Sequence, residues 1–180
     1  MKKMKKILRY IRTLRYLKIE QIFYRLYYKF FYVRKLPVFT YIPSINSISP
    51  EFCQWQKESW DDNFNATFLN LTSKIDVGNS WLVSAEPLWQ YNLHYFDDLN
   101  AINCEKKIDF HKRLIDCWIK SNSDITSVAW DPYPISLRIV NWSKLFWRLK
   151  GDVPQEWLNS LNVQANVLLR KREFHILGNH

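Results

Sequence analysis

Three observations in the sequence predict a mainly α-helical, layered body. After Pro87, apolar residues recur at intervals of three and four through most of the chain, the period of a helix with one buried face. Only three glycines occur in 180 residues, too few for a turn-dense β-fold or a Gly-rich phosphate loop. Hydrophobic residues make up 47% of the chain, with nine Trp, ten Tyr and eleven Phe, enough to fill the core of one domain.

The first element is a basic lead-in over residues 1–35. Ile7, Ile11 and Leu14, then Ile22, Leu26 and Phe30, recur at helical spacing with Arg and Lys between them. One bent or two short amphipathic helices are expected there. The segment to residue 36 holds 12 Lys and Arg against the single acid Glu20, whereas the other 14 Lys and Arg face 16 acids. The formal charge of +9 therefore belongs to the lead-in, which argues against a nucleic-acid surface spread over the fold. Docking on the protein's own body is the expected use of the apolar stripe, with an anionic membrane surface as its competitor. Arg9, Arg12 and Arg15 interrupt the apolar core that a signal peptide would need. No apolar run approaches the roughly 18 residues of a membrane-spanning helix, so a cytoplasmic chain, peripheral to the membrane at most, is expected.

Residues 36–86 carry Pro37, Pro43 and Pro50 among Ser and Asn and read as a connector. Within it, "NATFLNLTSKI" and "NSWLV" flank Gly78 with β-branched and aromatic residues, the pattern of a short hairpin. Residues 87–180 read as successive helices. The first is expected over Trp89 to Leu99, and the second over 105–121, with Ile108, Leu114, Ile115, Trp118 and Ile119 on one face. A third follows Pro132 and Pro134, with Ile135, Ile139, Trp142, Phe146 and Leu149 as its stripe, and Gly151 ends it. Asp152 is expected to cap the fourth, whose buried stripe is Leu158, Leu161, Ala165 and Leu168. The last helix lacks a closing partner in the sequence, so the layered body reads as unfinished at its carboxy end.

Cys53, Cys104 and Cys117 form no CxxC pair, and His94, His111, His175 and His180 show no metal-ligand spacing, so neither a metal nor another cofactor is expected. Two stretches concentrate chemistry. "LWQYNLHYFDDL" brings Trp89, Tyr91, His94 and Tyr95 close to Asp97 and Asp98. "WDPYPISLRIVNW" sets Trp130, Asp131 and Tyr133 on a proline-stiffened turn, with Arg138 further along the helix. Aromatic faces beside a guanidinium suit a sugar ring and its carboxylate, which makes Trp130, Tyr133, Arg138, His94 and Tyr91 candidate substrate-binding residues. A rigid interhelical corner in which Arg138 pairs with Asp131 explains the same pattern equally well.

Those two stretches, followed by "QANVLLRKREFHILGNH", resemble the successive landmarks of the heparinase II/III-like polysaccharide lyases, including alginate-lyase-like members, in their amino-terminal α/α-toroid portion. The lead-in "TLRYLKIEQIFYRLYYKF" is similar to that of members found with surface-polysaccharide genes. The resemblance implies an incomplete toroid of paired helices joined to an antiparallel β-sheet domain, with an acidic polysaccharide in the groove between them. It also implies β-elimination at a uronic acid, in which the C5 proton leaves and the bond to O4 breaks. Abstraction adds negative charge beside a carboxylate, so donors that bind the carboxylate lower the barrier. Asn179 and His180 match the family's Asn-His pair and are the catalytic candidates: Asn179 to hold the carboxylate, and His180 to assist it or share in proton transfer. Gly178 would let the backbone turn sharply beside them. The family's tyrosine acid/base, a further histidine and the β-sheet domain lie beyond the matching positions. The 180 residues are thus expected to need a carboxy-terminal β-domain, on the same or another chain, for turnover. The competing expectation is a non-catalytic module that binds an acidic glycan or a membrane surface.

Overall fold

The computed structural model describes residues 18–20, 23, 26–27, 56–78, 81, 83–149 and 152–171, and these are mainly helical. Most of the lead-in and its predicted stripe lie outside them, as do Cys53, Gly178, Asn179 and His180. Residues 19, 20, 23, 26 and 27 of the lead-in are helical. Phe23 and Tyr27 stack one turn apart at 6.3 Å. Ile19, Phe23, Leu26 and Tyr27 are all exposed, and Leu26 is the one residue of the predicted stripe that lies among the described residues.

The hairpin forms, but its turn is not at Gly78. Strands β1 (Asn65–Phe68) and β2 (Leu71–Lys74) pair antiparallel, Asn65 opposite Lys74 and Phe68 opposite Leu71. The chain reverses through Leu69 and Asn70, both with positive φ, at 53° and 62°. A two-residue hairpin loop with positive φ at both centres matches the right-handed twist of the strands. Asn tolerates that conformation; Leu does not favour it. Ala66 is fully buried, Phe68 meets the Trp89 ring at 5.3 Å, and the Trp89 indole donates to the Leu71 carbonyl at 3.0 Å. The hairpin is thereby fastened to the first helix.

Helix α1 (Pro87–Leu93) begins at a proline, whose fixed φ suits a first turn and whose missing N–H costs nothing there. It stops six residues short of the expected Leu99. Phe96 adopts φ 61°, which no helix tolerates, and a tight turn over Asp97–Asn100 follows. The cause is tertiary: turned this way, the Phe96 ring packs against Trp81, Trp118 and Trp142 at 5.8, 6.2 and 5.4 Å. Local helical period is overridden by aromatic burial.

Helix α2 (Ile108–Ser121) agrees with the sequence pattern, with Leu114, Ile115 and Trp118 buried, although Phe110 and His111 join the buried face and Ile108 and Ile119 sit at its margin. Helix α3 (Pro132–Arg148) runs through the middle of the body, packed against the 97–100 turn and against helix α4 (Gln155–Arg170). Its buried face holds Ile135, Trp142, Leu145 and Phe146, and also the polar Arg138 and Asn141. Asp152 does not cap α4. That helix starts at Gln155 after Pro154, and its most buried line is Trp157, Gln164 and Val167. The expected stripe of Leu158, Leu161, Ala165 and Leu168 is half-buried. Trp157 wins because its indole both stacks on Phe146 at 5.8 Å and donates to the Asp116 carboxylate at 2.6 Å.

Candidate functional site

The two aromatic stretches interlock through polar bonds. The Tyr91 hydroxyl donates to the Asp131 carboxylate at 2.8 Å. Asn141 of α3 donates to the Tyr95 carbonyl at 2.9 Å and to the Asp97 carboxylate at 2.7 Å. Arg138, fully buried, donates from Nε to the Gln164 side-chain oxygen at 2.8 Å. Its Nη1 donates to the carbonyls of His94 at 3.1 Å and Ala129 at 3.0 Å. The guanidinium carbon lies 4.0 Å from the centre of the Trp118 ring.

Arg138 therefore does not pair with Asp131, whose carboxylate is taken by Tyr91. No described carboxylate pairs with Arg138, and its Nη2 has no hydrogen-bond partner. Carbonyl dipoles and an indole face replace the missing counter-ion, and burial pushes the Arg138 pKa well below its ordinary value. The same placement corrects the expectation that this guanidinium meets a sugar carboxylate, because it is sealed within the core. Trp130 is buried as well, its indole donating to the Asn122 carbonyl at 2.8 Å. Of the five predicted binding residues, Tyr133 is exposed, with its ring edge-on to Tyr95 at 5.6 Å, and Tyr91 is half-buried.

His94 is also buried, yet it borders a cavity of about 200 Å³ together with Trp81, Gln90, Asn122, Asp124 and Ser127. The Trp118 indole donates to its Nδ1 at 3.3 Å, which leaves the ring proton on Nε2. Burial, and after it the Arg138 charge, lowers the His94 pKa to about 3, so the ring is neutral at physiological pH. Asp124, at the exposed end, is held below its ordinary value by the Thr126 hydroxyl and amide and carries its charge.

A second polar centre escaped the sequence reading. Asp98, almost fully buried, accepts from the backbone amides of Ser59 and Trp60 and lies 2.9 Å from His111 Nε2 and 3.7 Å from Lys107 Nζ. Burial pushes its pKa up, but the His111 bond, the Ser59 amide and the Lys107 charge outweigh that and hold it below the usual carboxylate range. The centre ties residues 59–60 to the helical body across about forty positions, a separation that no local spacing reveals. Among the described residues no His, Cys, Asp or Glu group is arranged to hold a metal ion. Likewise, no described helix is long and apolar enough to cross a membrane. Compared with protein-family models, with curated proteins and with solved structures, the chain matches none of them.

Proposed function

We propose that this protein supplies the helical groove wall of a β-eliminating polysaccharide lyase acting on uronic-acid-containing chains. The observation that carries the reading is the interlock of the two landmark stretches. Tyr91 with Asp131, Arg138 with the His94 carbonyl, and Asn141 with Tyr95 and Asp97 join segments 40 to 46 residues apart into one rigid corner. A motif pair that resembles a lyase family only in combination is thus also a structural unit. In this reading the paired helices belong to an incomplete α/α toroid, and Tyr133 and Tyr91 lie along the substrate. Asn179 and His180 handle the uronate carboxylate, while the tyrosine that moves the C5 proton comes from a β-sheet domain.

Affinity electrophoresis and ultraviolet absorbance of the unsaturated uronide, run on a panel of polyuronides and neutral glycans, test the proposal. The 180-residue chain is expected to bind at least one polyuronide in preference to neutral glycans, without turnover. Absence of any polyuronide binding would overturn the reading. Turnover by the chain alone would overturn its division of labour.

One observation favours a second reading, attachment to an anionic membrane surface. Ile19, Phe23, Leu26 and Tyr27 expose apolar side chains on a segment whose neighbours are Lys and Arg. Sedimentation with anionic vesicles, and not with neutral ones, is its signature.

A further inference from the structure

We propose that Tyr91 and Asp131 form a redox outlet for the aromatic core. When a radical-class one-electron oxidant takes an electron from the buried indoles, the hole passes to Tyr91 and its phenolic proton to Asp131. The proposal is independent of the lyase reading, because it stands on ring spacing, one fixed cation and one hydrogen bond.

The indoles form a connected set in which a hole is both shared and trapped. Trp130, Trp118 and Trp142 follow one another at 5.7 and 5.6 Å, separations at which aromatic rings are in contact. All three are buried, so no soluble reductant touches them. The Arg138 guanidinium lies 4.0 Å from the centre of the Trp118 ring and 5.8 Å from that of Trp130. So close a positive charge repels an indole cation radical, and no intervening water screens it.

Tyr91 offers the hole a way out. Its helix packs against the Val128–Trp130 turn, and Trp130 directly precedes Asp131, about 3.8 Å away between α-carbons. The Tyr91 hydroxyl donates to the Asp131 carboxylate at 2.8 Å. In the transfer, one electron leaves the Tyr91 ring and restores the neutral indole. The Tyr91 O–H bond breaks and an O–H bond forms on Asp131, leaving a neutral tyrosyl radical beside a neutral carboxylic acid. The positive charge of the hole and the negative charge of the carboxylate thus cancel, which is favourable where the dielectric is low. Tyr91 and Asp131 are half-buried, so a soluble thiolate can return an electron to Tyr91 while Asp131 gives back the proton. Tyr95 lacks this arrangement. Its hydroxyl is buried with no described partner, and burial raises its pKa above the ordinary value, so its oxidised ring would keep the positive charge.

The test is flash photolysis of the 180-residue protein with tris(bipyridine)ruthenium and persulfate, following indole and tyrosyl radicals by transient absorbance. A tyrosyl signal is expected to grow as the indole signal decays, and both steps are expected to slow in heavy water. Asp131→Asn keeps an acceptor but takes a proton poorly, and should slow the decay by about a hundredfold, the lower end of what a positioned proton acceptor contributes. Tyr91→Phe should slow it at least as much and lead to more oxidised tryptophan by mass spectrometry. Tyr95→Phe, which removes a hydroxyl without a described partner, should behave as wild type. If the wild-type indole radical decays without tyrosyl growth, or with no slowing in heavy water, the proposal fails without any variant. It fails equally if a folded Tyr91→Phe or Asp131→Asn decays at the wild-type rate, or if Tyr95→Phe removes the signal.

Discussion

At the scale of single residues, two buried polar side chains lead to measurable consequences. His94 is neutral in the fold with a pKa near 3, against an ordinary value of 6.5, so below pH 6.5 the unfolded chain takes up a proton that the folded chain refuses. Folding stability therefore falls as pH drops, by about 1.4 kcal/mol per pH unit for this group. From pH 7 to pH 5 His94 should remove about 2 kcal/mol, and urea unfolding across that range should show a shallower loss in His94→Gln. Equal pH slopes in the two proteins would contradict the burial of a neutral ring. Arg138 gives the second consequence. Its planar fork serves Gln164, His94 and Ala129 at once, a pattern that an ammonium cannot reproduce. Arg138→Lys should cost about 3 kcal/mol of stability, read from denaturant midpoints, even though charge is conserved. Neither role was legible in the sequence, which offers Arg138 to a ligand or to Asp131 equally well. The partners that decide the matter come from α4 and from backbone carbonyls.

The elements differ in how openly the sequence declares them. Helices α2 and α3 were legible because a strong three-and-four period coincides with a proline start or a polar end. The end of α1 was not, because the left-handed turn at Phe96 is set by indoles from three other segments. The hairpin turn was missed for a related reason: glycine marks a turn in sequence, whereas here Leu69 and Asn70 take the positive φ angles. Leu69 is half exposed, so little packing compensates its backbone strain. Leu69→Gly should therefore raise the melting temperature, with a gain of about 0.5–1 kcal/mol, and a lowered one would refute that account. The 200 Å³ cavity was illegible for a third reason. Its walls come from Trp81, from α1, from the end of α2 and from the loop that follows, so no stretch of sequence contains it.

For the whole molecule, charge and shape divide between parts of the chain. The lead-in holds the excess of Lys and Arg, and the rest has more acids than bases. Attraction to an anionic surface should therefore depend on residues 1–35 and weaken with salt, as surface charge interactions do. Deleting those residues should abolish sedimentation with anionic vesicles while leaving the circular dichroism of the Trp-rich body intact. Persistence of vesicle binding in the deleted protein would place the contact elsewhere. The body itself is held by aromatic burial to an unusual degree: Trp89, Trp118, Trp142 and Trp157 are all at or below 2% exposure.

That packing also gives the protein a distinctive optical behaviour. Trp130, Trp118 and Trp142 follow one another at 5.7 and 5.6 Å, with Trp60 and Trp81 similarly close at 5.6 Å. At such separations an absorbed photon hops between indoles before it is emitted, so the emitted light loses its polarisation although the rings stand still. Unfolding spreads the indoles apart and lets each one emit for itself.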